Sequence, residues 1–306
     1  MSTVASTDRG TRPTPPSGSL VPQISRRRVA VDRTVTVLVW VAFFLAVVPL
    51  AWILWTVLSK GFSLVLDSHW WTNSQAGISP RREGGGAYHA IIGTILMAVV
   101  TAVIAVPLAV FTAIYLVEYG RGRLARVVSF MVDILTGIPS IVAALFIYAV
   151  WVGVFRQQRV GFAVSLALVL LMIPVVTRST EEMLNLVPNE LREASYALGV
   201  PKWKTISRIV LPTALSGIIT GILLGLARVM GETAPLIILA PYTAFINVDL
   251  FGGNMAALPT LIYTNFGNNI QPQLDRMWAA ALTLILLVLF LNIAGRFVAR
   301  FSAVRR

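Results

Sequence analysis

Cysteine is absent from this 306-residue chain, and charged residues are scarce, at 12% of the total. Without cysteine the protein has no disulfide, no thiolate metal site and no cysteine nucleophile. A water-soluble domain carries about 25% charged residues, so this shortfall indicates that most of the surface faces something other than water. The two histidines, His69 and His89, lie too far apart in sequence to suggest a metal site, and we expect none.

Acidic residues are the scarcer charge, at 13 against 25 lysines and arginines, and the net charge is +12. A basic excess can indicate nucleic-acid binding. Here the basic residues lie at the ends of apolar runs, where they determine membrane topology. We therefore expect the chain to have a lipid membrane as its partner and to bind no nucleic acid.

Long apolar runs supply the 57% hydrophobic content. A bilayer is spanned by about 18 or more apolar residues in a helix, and none of these runs alternates as a barrel strand does. Backbone groups in lipid must be satisfied internally, so the runs predict helices and an all-α integral membrane protein with about six transmembrane helices. The predicted spans are residues 34–59, 90–117, 127–154, 160–177, 213–240 and 277–295.

The N-terminal region is rich in Ser, Thr, Pro and Arg. We expect residues 1–33 to form a disordered cytoplasmic tail ahead of a transmembrane permease domain over residues 34–306. The arginines at 26–28 raise the alternative of a twin-arginine signal peptide, whose apolar region has about 7–15 residues and a small-residue cleavage site. The run at 34–59 is longer and lacks such a site, which favours a membrane anchor.

The positions of lysine and arginine predict the topology. With the N-terminus inside, 18 of them lie in inner segments and six in outer segments. This asymmetry favours an N-in, C-in orientation with six crossings. The inner segments are residues 1–33, 119–126, 178–212 and 296–306.

Gly137 and Pro139 lie inside the third apolar run and predict a kink, since proline disrupts a helix interior. Asp133 lies near the inner end of the same run. We expect its carboxylate to reach the inner headgroup region.

Residues 187–212, called the elbow below, carry the most information about function. Asn189 is a suitable N-cap, Gly199 stands where a left-handed C-terminal cap is needed, and Pro201 can open the next helix. The pattern predicts a short helix, a tight bend and a second helix that enters the membrane at Pro212. An ordinary loop is the alternative, but helix connections usually have about 2–8 residues, far fewer than this segment has.

The elbow also resembles the EAA signature of ABC-importer permeases. The matching residues, with the signature's spacing at every position, are Glu193-Ala194-Ser195, Gly199 and Ile209-Val210-Leu211-Pro212. The departure is Ser195, which replaces the second alanine. In that family the elbow docks into a groove on a separate ATPase subunit. The resemblance therefore implies an ATPase-coupling interface that contains Glu193, Ala194, Ser195, Gly199 and Pro212.

Arg228 lies deep in the fifth apolar run, about 24 Å from its start at 1.5 Å per residue. Glu232 follows four residues later, so in a continuous helix the two share a face and can pair. Burying such an arginine costs at least about 2.5–3.5 kcal/mol, and charged residues in membrane spans mark transport pathways by default. A structural salt bridge is the alternative to a guanidinium that binds an anion such as phosphate or sulfate.

The segment around this pair resembles the Arg-x-x-Gly-Glu-Thr segment of permeases in phosphate-specific ABC importers. It reads Arg228-Val-Met-Gly231-Glu232-Thr233-Ala-Pro235-Leu, and its Ala-Pro-Leu continuation is more similar to PstA than to PstC subunits. Tyr115-Leu-Val-Glu118-Tyr-Gly120 and Thr136-Gly-Ile-Pro139-Ser140 also resemble that family. The resemblance implies a MetI-like permease fold, with a substrate pathway that contains Arg228, Glu232 and Thr233.

The same resemblance implies a multi-pass subunit of an ATP-driven importer that moves inorganic phosphate across the bacterial plasma (inner) membrane. Its partners would be a PstC-like permease, a PstB-like ATPase dimer and an extracytoplasmic phosphate-binding protein. The chain has no P-loop, so we expect it to be no enzyme and to bind no cofactor, with ATP and Mg on the ATPase. One alternative is a permease of the same class for sulfate or molybdate. The other is a secondary carrier or channel that needs no ATPase, and this alternative would leave the elbow unexplained.

Overall fold

The structure, a computed structural model, describes residues 26–304, and within this range it contains helices and loops but no strand. The described residues divide into two compact units, with the boundary between Leu54 and Trp55. Residues 1–25 of the predicted tail lie outside the described residues. Residues 26–33 of that tail are helical, because α1 (Arg26–Val65) begins at the arginine run and arginine is a good helix former.

Helix α1 contributes to both units. Its most apolar 18-residue window has a mean hydropathy of 2.7, and it contains the predicted first span. In the first unit, Phe43 contacts two neighbouring rings, with centroid distances of 5.7 Å to Trp40 and 5.6 Å to Phe44. These properties are those of a helix that crosses a membrane.

The second unit contains the other described helices. They are α2 (Ser68–Thr72), α3 (Tyr88–Ile114), α4 (Gly122–Gly137), α5 (Ser140–Tyr148), α6 (Gly161–Asn185), α7 (Asn189–Ala197), α8 (Lys202–Thr205), α9 (Leu211–Met230), α10 (Ala234–Leu239), α11 (Leu258–Asn265) and α12 (Gln271–Val304). Short π-helical turns extend three of them, at Tyr115–Tyr119 after α3, Ala149–Val154 after α5 and Ile206–Val210 between α8 and α9.

The predicted all-α membrane architecture is confirmed. Five of the described helical stretches are long and apolar enough to cross a membrane, and the bent pair α4–α5 raises the number to six. The kink expected in the third span is a full break, with a bend of 105° between Gly122–Gly137 and Ser140–Val154. Pro139 explains it, because it has no backbone N–H and cannot continue α4; it lies at the N-cap of α5 in an extended conformation.

Small residues hold α3 against α6 in the core. Helix association in lipid depends on such close packing, supplemented by hydrogen bonds between helices. The hydroxyl of Thr101 on α3 donates to the carbonyl oxygen of Ser165 on α6 at 3.3 Å, and the Thr177 hydroxyl donates to that of Ala109 at 3.4 Å. The alanines that are 0% exposed at this contact are Ala105 and Ala109 on α3 and Ala163 and Ala167 on α6.

Gly93 of α3 lies against the segment between α10 and α11 without room for a side chain. A Cβ at Gly93 would lie 1.9 Å from the carbonyl oxygen of Ala256. Next to this contact, the Leu258 N–H donates to the Thr94 hydroxyl at 2.9 Å, and both residues are buried. The close approach therefore fixes the 241–257 segment on α3.

We expect Gly93→Val to destabilise the protein by about 2–3 kcal/mol, because overpacking a rigid backbone contact forces the helix and the segment apart. A thermal melt of the detergent-purified protein, followed by size-exclusion chromatography, measures the effect. Gly153→Val is the matched control, since a Cβ at Gly153 meets nothing within 4 Å. Equal melting temperatures for the two variants would contradict the expectation.

Candidate functional site

The bend of the elbow is a capped helix end, as the sequence predicts. Gly199 has φ +74°, the left-handed conformation that glycine adopts without strain. The Gly199 N–H donates to the Tyr196 carbonyl oxygen at 2.9 Å, and the Val200 N–H donates to that of Ser195 at 3.1 Å. These two hydrogen bonds form a Schellman motif at the end of α7.

The two helices of the elbow begin close to the predicted positions. Pro188, and not the predicted Asn189, is the N-cap of α7. Asn189 occupies the first helical position, where its side-chain oxygen accepts a hydrogen bond from Arg192 at 3.3 Å. The second helix begins directly after Pro201 and runs as one membrane-crossing stretch from Lys202 to Met230, with Pro212 in the first turn of α9.

Ser195 lies inside the elbow. Its side chain is 3% exposed, and its hydroxyl oxygen is 2.8 Å from that of Thr205 on α8, which is fully buried. The serine that departs from the Glu-Ala-Ala pattern therefore links the two helices of the elbow. Its neighbours Glu193 and Ala194 are exposed.

Large apolar side chains cover the exposed side of the elbow. Leu198, next to Gly199, is 83% exposed, and Trp203 is 60% exposed. Exposed apolar patches of this kind mark interaction sites. The residues of this apolar elbow surface are Leu186, directly before the elbow, and Leu191, Tyr196, Leu198 and Trp203 within it.

A buried ion pair lies beneath the elbow. The Arg192 guanidinium of α7 contacts the Glu118 carboxylate in the π-helical turn after α3, with Nη2 3.0 Å and Nε 3.1 Å from Oε1. The two side chains are 13% and 5% exposed. The sequence pattern assigns neither residue to the site, although Glu118 falls in the Tyr115–Gly120 motif that resembles the phosphate importers.

A second ion-pair cluster joins α4 to α6. The Arg178 guanidinium is 2.5 Å from the Asp133 carboxylate and 2.6 Å from the Glu181 carboxylate. It also donates to the Ser129 hydroxyl at 2.9 Å. Asp133, for which the sequence predicts a headgroup position, is thus also bound to Arg178 of α6.

The predicted fifth span is broken near its charged residues. Helix α9 ends at Met230 and α10 begins at Ala234, because Pro235 would clash with the carbonyl of Gly231 in a continuous helix. Glu232 therefore lies outside both helices, and its four-residue spacing from Arg228 does not place the two side chains on one face. The described residues contain no ion pair between them, so the predicted pairing of Arg228 with Glu232 is wrong.

Arg228 is exposed, and Glu232 and Thr233 beside it are partly buried. In the part of the chain that the structure describes, no side chain or carbonyl pairs with the Arg228 guanidinium. The exposed stripe of α9, at four-residue spacing, consists of Ser216, Thr220, Leu224 and Arg228.

A row of glycines on α9 determines which side of the helix packs on α6 and which side stays exposed. A Cβ at Gly221 would lie 2.0 Å from the hydroxyl of Ser179 on α6, and one at Gly225 would lie 3.0 Å from Val176. Glycines at four-residue spacing allow such close helix packing in membranes. Because this face of α9 is packed on α6, the stripe that ends in Arg228 stays exposed. Residues 26–304 contain no cluster of three or more His, Asp or Glu side chains that could hold a metal ion.

Sequence comparisons identify relatives over most of the chain. Residues 105–304 match the family described as binding-protein-dependent transport system inner membrane component. The chain is 54% identical over 285 residues to phosphate transport system permease protein PstA 1 of Mycobacterium tuberculosis (strain H37Rv), covering 93% of this chain and 92% of that protein. It is 55% identical over 283 residues to PstA of Mycobacterium leprae (strain TN), covering 92% and 93%. With PstA of Pasteurella multocida the identity is 40% over 266 residues, covering 87% and 93%.

Solved structures show the same fold. The inward-facing MetNI methionine ABC transporter matches with a TM-score of 0.55 at 21% identity, over 71% of this chain and 94% of that chain. A bacterial ABC transporter involved in alginate import matches with a TM-score of 0.60 at 14% identity, over 90% and 99%. The predicted MetI-like fold is therefore confirmed. The chain is a multi-pass transport component of the inner membrane, and it belongs to the family of binding-protein-dependent transport system inner membrane components, among the relatives named PstA.

Proposed function

We propose that this chain is the PstA-type subunit of an ABC importer that carries inorganic phosphate across the bacterial inner membrane, in the predicted N-in, C-in orientation. The observation that carries the proposal is the unpartnered guanidinium of Arg228 on an exposed face of membrane-crossing α9. It occurs in a chain that is 54% identical to a phosphate transport system permease over 93% of its length.

The position of Arg228 favours a transport pathway over a lipid contact. A charged side chain that faces lipid is costly, and such groups normally face a protein interior or a water-filled cavity. The Ser216 hydroxyl on the same stripe is also poorly suited to lipid, whereas the Thr220 hydroxyl is satisfied within the helix, where it donates to the Ser216 carbonyl oxygen at 2.9 Å. We infer that a second permease subunit covers this stripe and that the pathway runs between the two chains.

The break after α9 supports the same pathway. Non-helical backbone at membrane depth is tolerated where it is buried in protein or lines a cavity, and Glu232 and Thr233 lie in such a segment. The planar guanidinium of Arg228 matches the geometry of phosphate oxygens. Phosphate keeps a proton near neutral pH and sulfate does not, so the Glu232 carboxylate would accept a hydrogen bond from phosphate and repel sulfate.

The elbow provides the proposed coupling to ATP hydrolysis. Glu193, Ala194 and Gly199 are exposed beside the apolar elbow surface, and we infer that they dock on an ATPase subunit. Ser195 would support this surface from inside, and Pro212 would connect it to α9. ATP-driven closure of the ATPase dimer would then move the elbow and α9 together, opening the Arg228 pathway to each side in turn.

The complete importer would contain this chain, with one permease domain over residues 34–306, and three kinds of partner. These are a PstC-like permease, a PstB-like ATPase dimer that binds ATP and Mg, and an extracytoplasmic phosphate-binding protein. The family description, binding-protein-dependent transport system inner membrane component, supports the binding protein, and the relatives named phosphate transport system permease protein support phosphate as its ligand.

Uptake of radiolabelled phosphate tests the proposal, in cells that lack their own high-affinity phosphate uptake and carry this chain with its partners. We expect excess unlabelled phosphate to suppress the labelled uptake, and excess sulfate or molybdate to leave it unchanged. Suppression by sulfate or molybdate would assign another oxyanion to the pathway. Uptake that persists after deletion of the ATPase would indicate a carrier or channel.

A further inference from the structure

The π-helical turn that follows α3 carries a carboxylate that is almost completely shielded from water. Glu118 lies in the π-helical turn Tyr115–Tyr119, and its side chain is 5% exposed. A buried charge is tolerated when it is paired and hydrogen-bonded. Here the Arg192 guanidinium is the partner of the Glu118 carboxylate. Its Nη2 and Nε atoms lie 3.0 and 3.1 Å from Oε1 of Glu118.

The Arg192 guanidinium also binds three other groups. It donates to the carbonyl oxygens of Leu184 at 2.9 Å and Val187 at 2.6 Å, and to the side chain of Asn189 at 3.3 Å. One planar group thus joins the ends of α3 and α6 to the start of α7. A lysine ammonium could not reach these acceptors together, because it lacks the rigid fork of donors.

The second arm of the elbow holds the same turn. Lys202 of α8 donates from its ammonium to the backbone carbonyl oxygen of Glu118. The same ammonium lies 4.7 Å from the centroid of the Tyr119 ring, within the range of a cation–π contact. Both helices of the elbow are therefore bonded to the end of α3.

An apolar cluster supports these bonds from below. Ala113 of α3, Leu184 of α6 and Val210 before α9 are each 0% exposed and belong to one buried cluster. The end of α3 is thus packed against the two helices that enter and leave the elbow.

On this geometry, and resting on the coupling role proposed above, we propose that Glu118, Arg192 and Lys202 are positioning residues that make the elbow and the end of α3 one rigid body. Helix α9 follows the elbow through the continuous backbone, but α3 is about 70 residues away in sequence. Without this clamp, α3 would be joined to the moving elbow only indirectly, through its packing on α6 and the buried apolar cluster. With it, α3 and α9 move together in the alternating-access step.

Separate measurements of ATP hydrolysis and phosphate transport test the clamp. The sample is the complete complex with the second permease, the ATPase and the binding protein, reconstituted in proteoliposomes. Glu118→Gln keeps the side-chain size and an acceptor oxygen but removes the charge. We expect the complex to assemble and hydrolyse ATP, with about a tenfold fall in phosphate moved per ATP, a typical size for coupling between sites. Glu118→Asp should restore part of the coupling.

The exposed carboxylate of Glu182 on α6 provides the matched control. Glu182→Gln removes the same charge near the elbow without touching the clamp, so its phosphate-to-ATP ratio should equal that of the unaltered protein. If Glu118→Gln prevents assembly, Lys202→Met removes the second link alone and should lower the same ratio.

The distance between two spin labels tests directly whether the elbow and α3 move as one rigid body. Because the chain has no native cysteine, labels can be attached to it at two introduced cysteines alone. Labels at Phe111→Cys on α3 and Ala197→Cys on α7 occupy exposed positions. We expect one narrow distance distribution, unchanged when ATP is trapped in the complex, and a nucleotide-dependent shift once Glu118→Gln is added.

An unchanged ratio and unchanged label distances in Glu118→Gln, in a complex that transports phosphate normally, would overturn the clamp alone. A complex of unaltered chains that binds no ATPase or moves no phosphate would instead overturn the proposed function.

Discussion

We expect Arg228→Gln to lower phosphate uptake about a hundredfold and to leave insertion and assembly intact. The substitution removes two or more charge-assisted hydrogen bonds to the anion, each of about 1.5 kcal/mol, which together correspond to about two decades in rate. The fold should tolerate it, because within the described residues the Arg228 guanidinium is bonded to no other group of the chain and is exposed.

Two further variants separate a pathway role from a structural one in cells that depend on this importer. Arg228→Lys keeps the charge but not the bidentate fork, so uptake should be intermediate. Arg296→Gln removes an exposed arginine near the end of α12 and should transport normally. Membrane abundance and co-purification with the ATPase confirm assembly. Normal uptake in Arg228→Gln would reduce Arg228 to a structural role.

The sequence predicts the presence of this site better than its geometry. An arginine inside an apolar run is visible without a structure, and Gly231 and Pro235 mark a weak point in the helix. The pairing with Glu232 fails because it assumes a continuous helix, whereas Pro235 ends it. The exposed orientation of Arg228 depends on the packing of Gly221 against Ser179, which is a tertiary contact and leaves no local signal.

The elbow shows the same division between local and long-range information. Gly199 is predicted correctly because a left-handed cap depends on the residues immediately around it, while the N-cap of α7 differs by one residue, within the usual uncertainty of helix ends. Arg192 and Glu118 are 74 positions apart, and Arg178 and Asp133 are 45 apart. Pairing between such distant charges depends on how the helices pack, so the sequence could not predict it.

We expect Gly199→Arg to abolish co-purification of the ATPase with this chain. The left-handed backbone at φ +74° would cost an arginine about 1–3 kcal/mol, which weakens the cap of α7. A Cβ at this position meets nothing within 4 Å, so the new side chain fits the isolated chain. It would project beside the exposed Leu198 and place a bulky charge in the surface that the ATPase is proposed to cover.

Two variants separate the strain from the steric effect on ATPase binding. Gly122→Arg introduces the same residue at another open, left-handed glycine, with φ +79° at the start of α4, and should retain the ATPase. Gly199→Asn accepts the left-handed conformation with little added bulk, so it should also retain the ATPase. ATPase retained by Gly199→Arg would place the docking surface elsewhere. If the ATPase is lost from Gly199→Arg and retained by both controls, its binding depends on the bend at Gly199. That result would exclude a carrier that works without an ATPase.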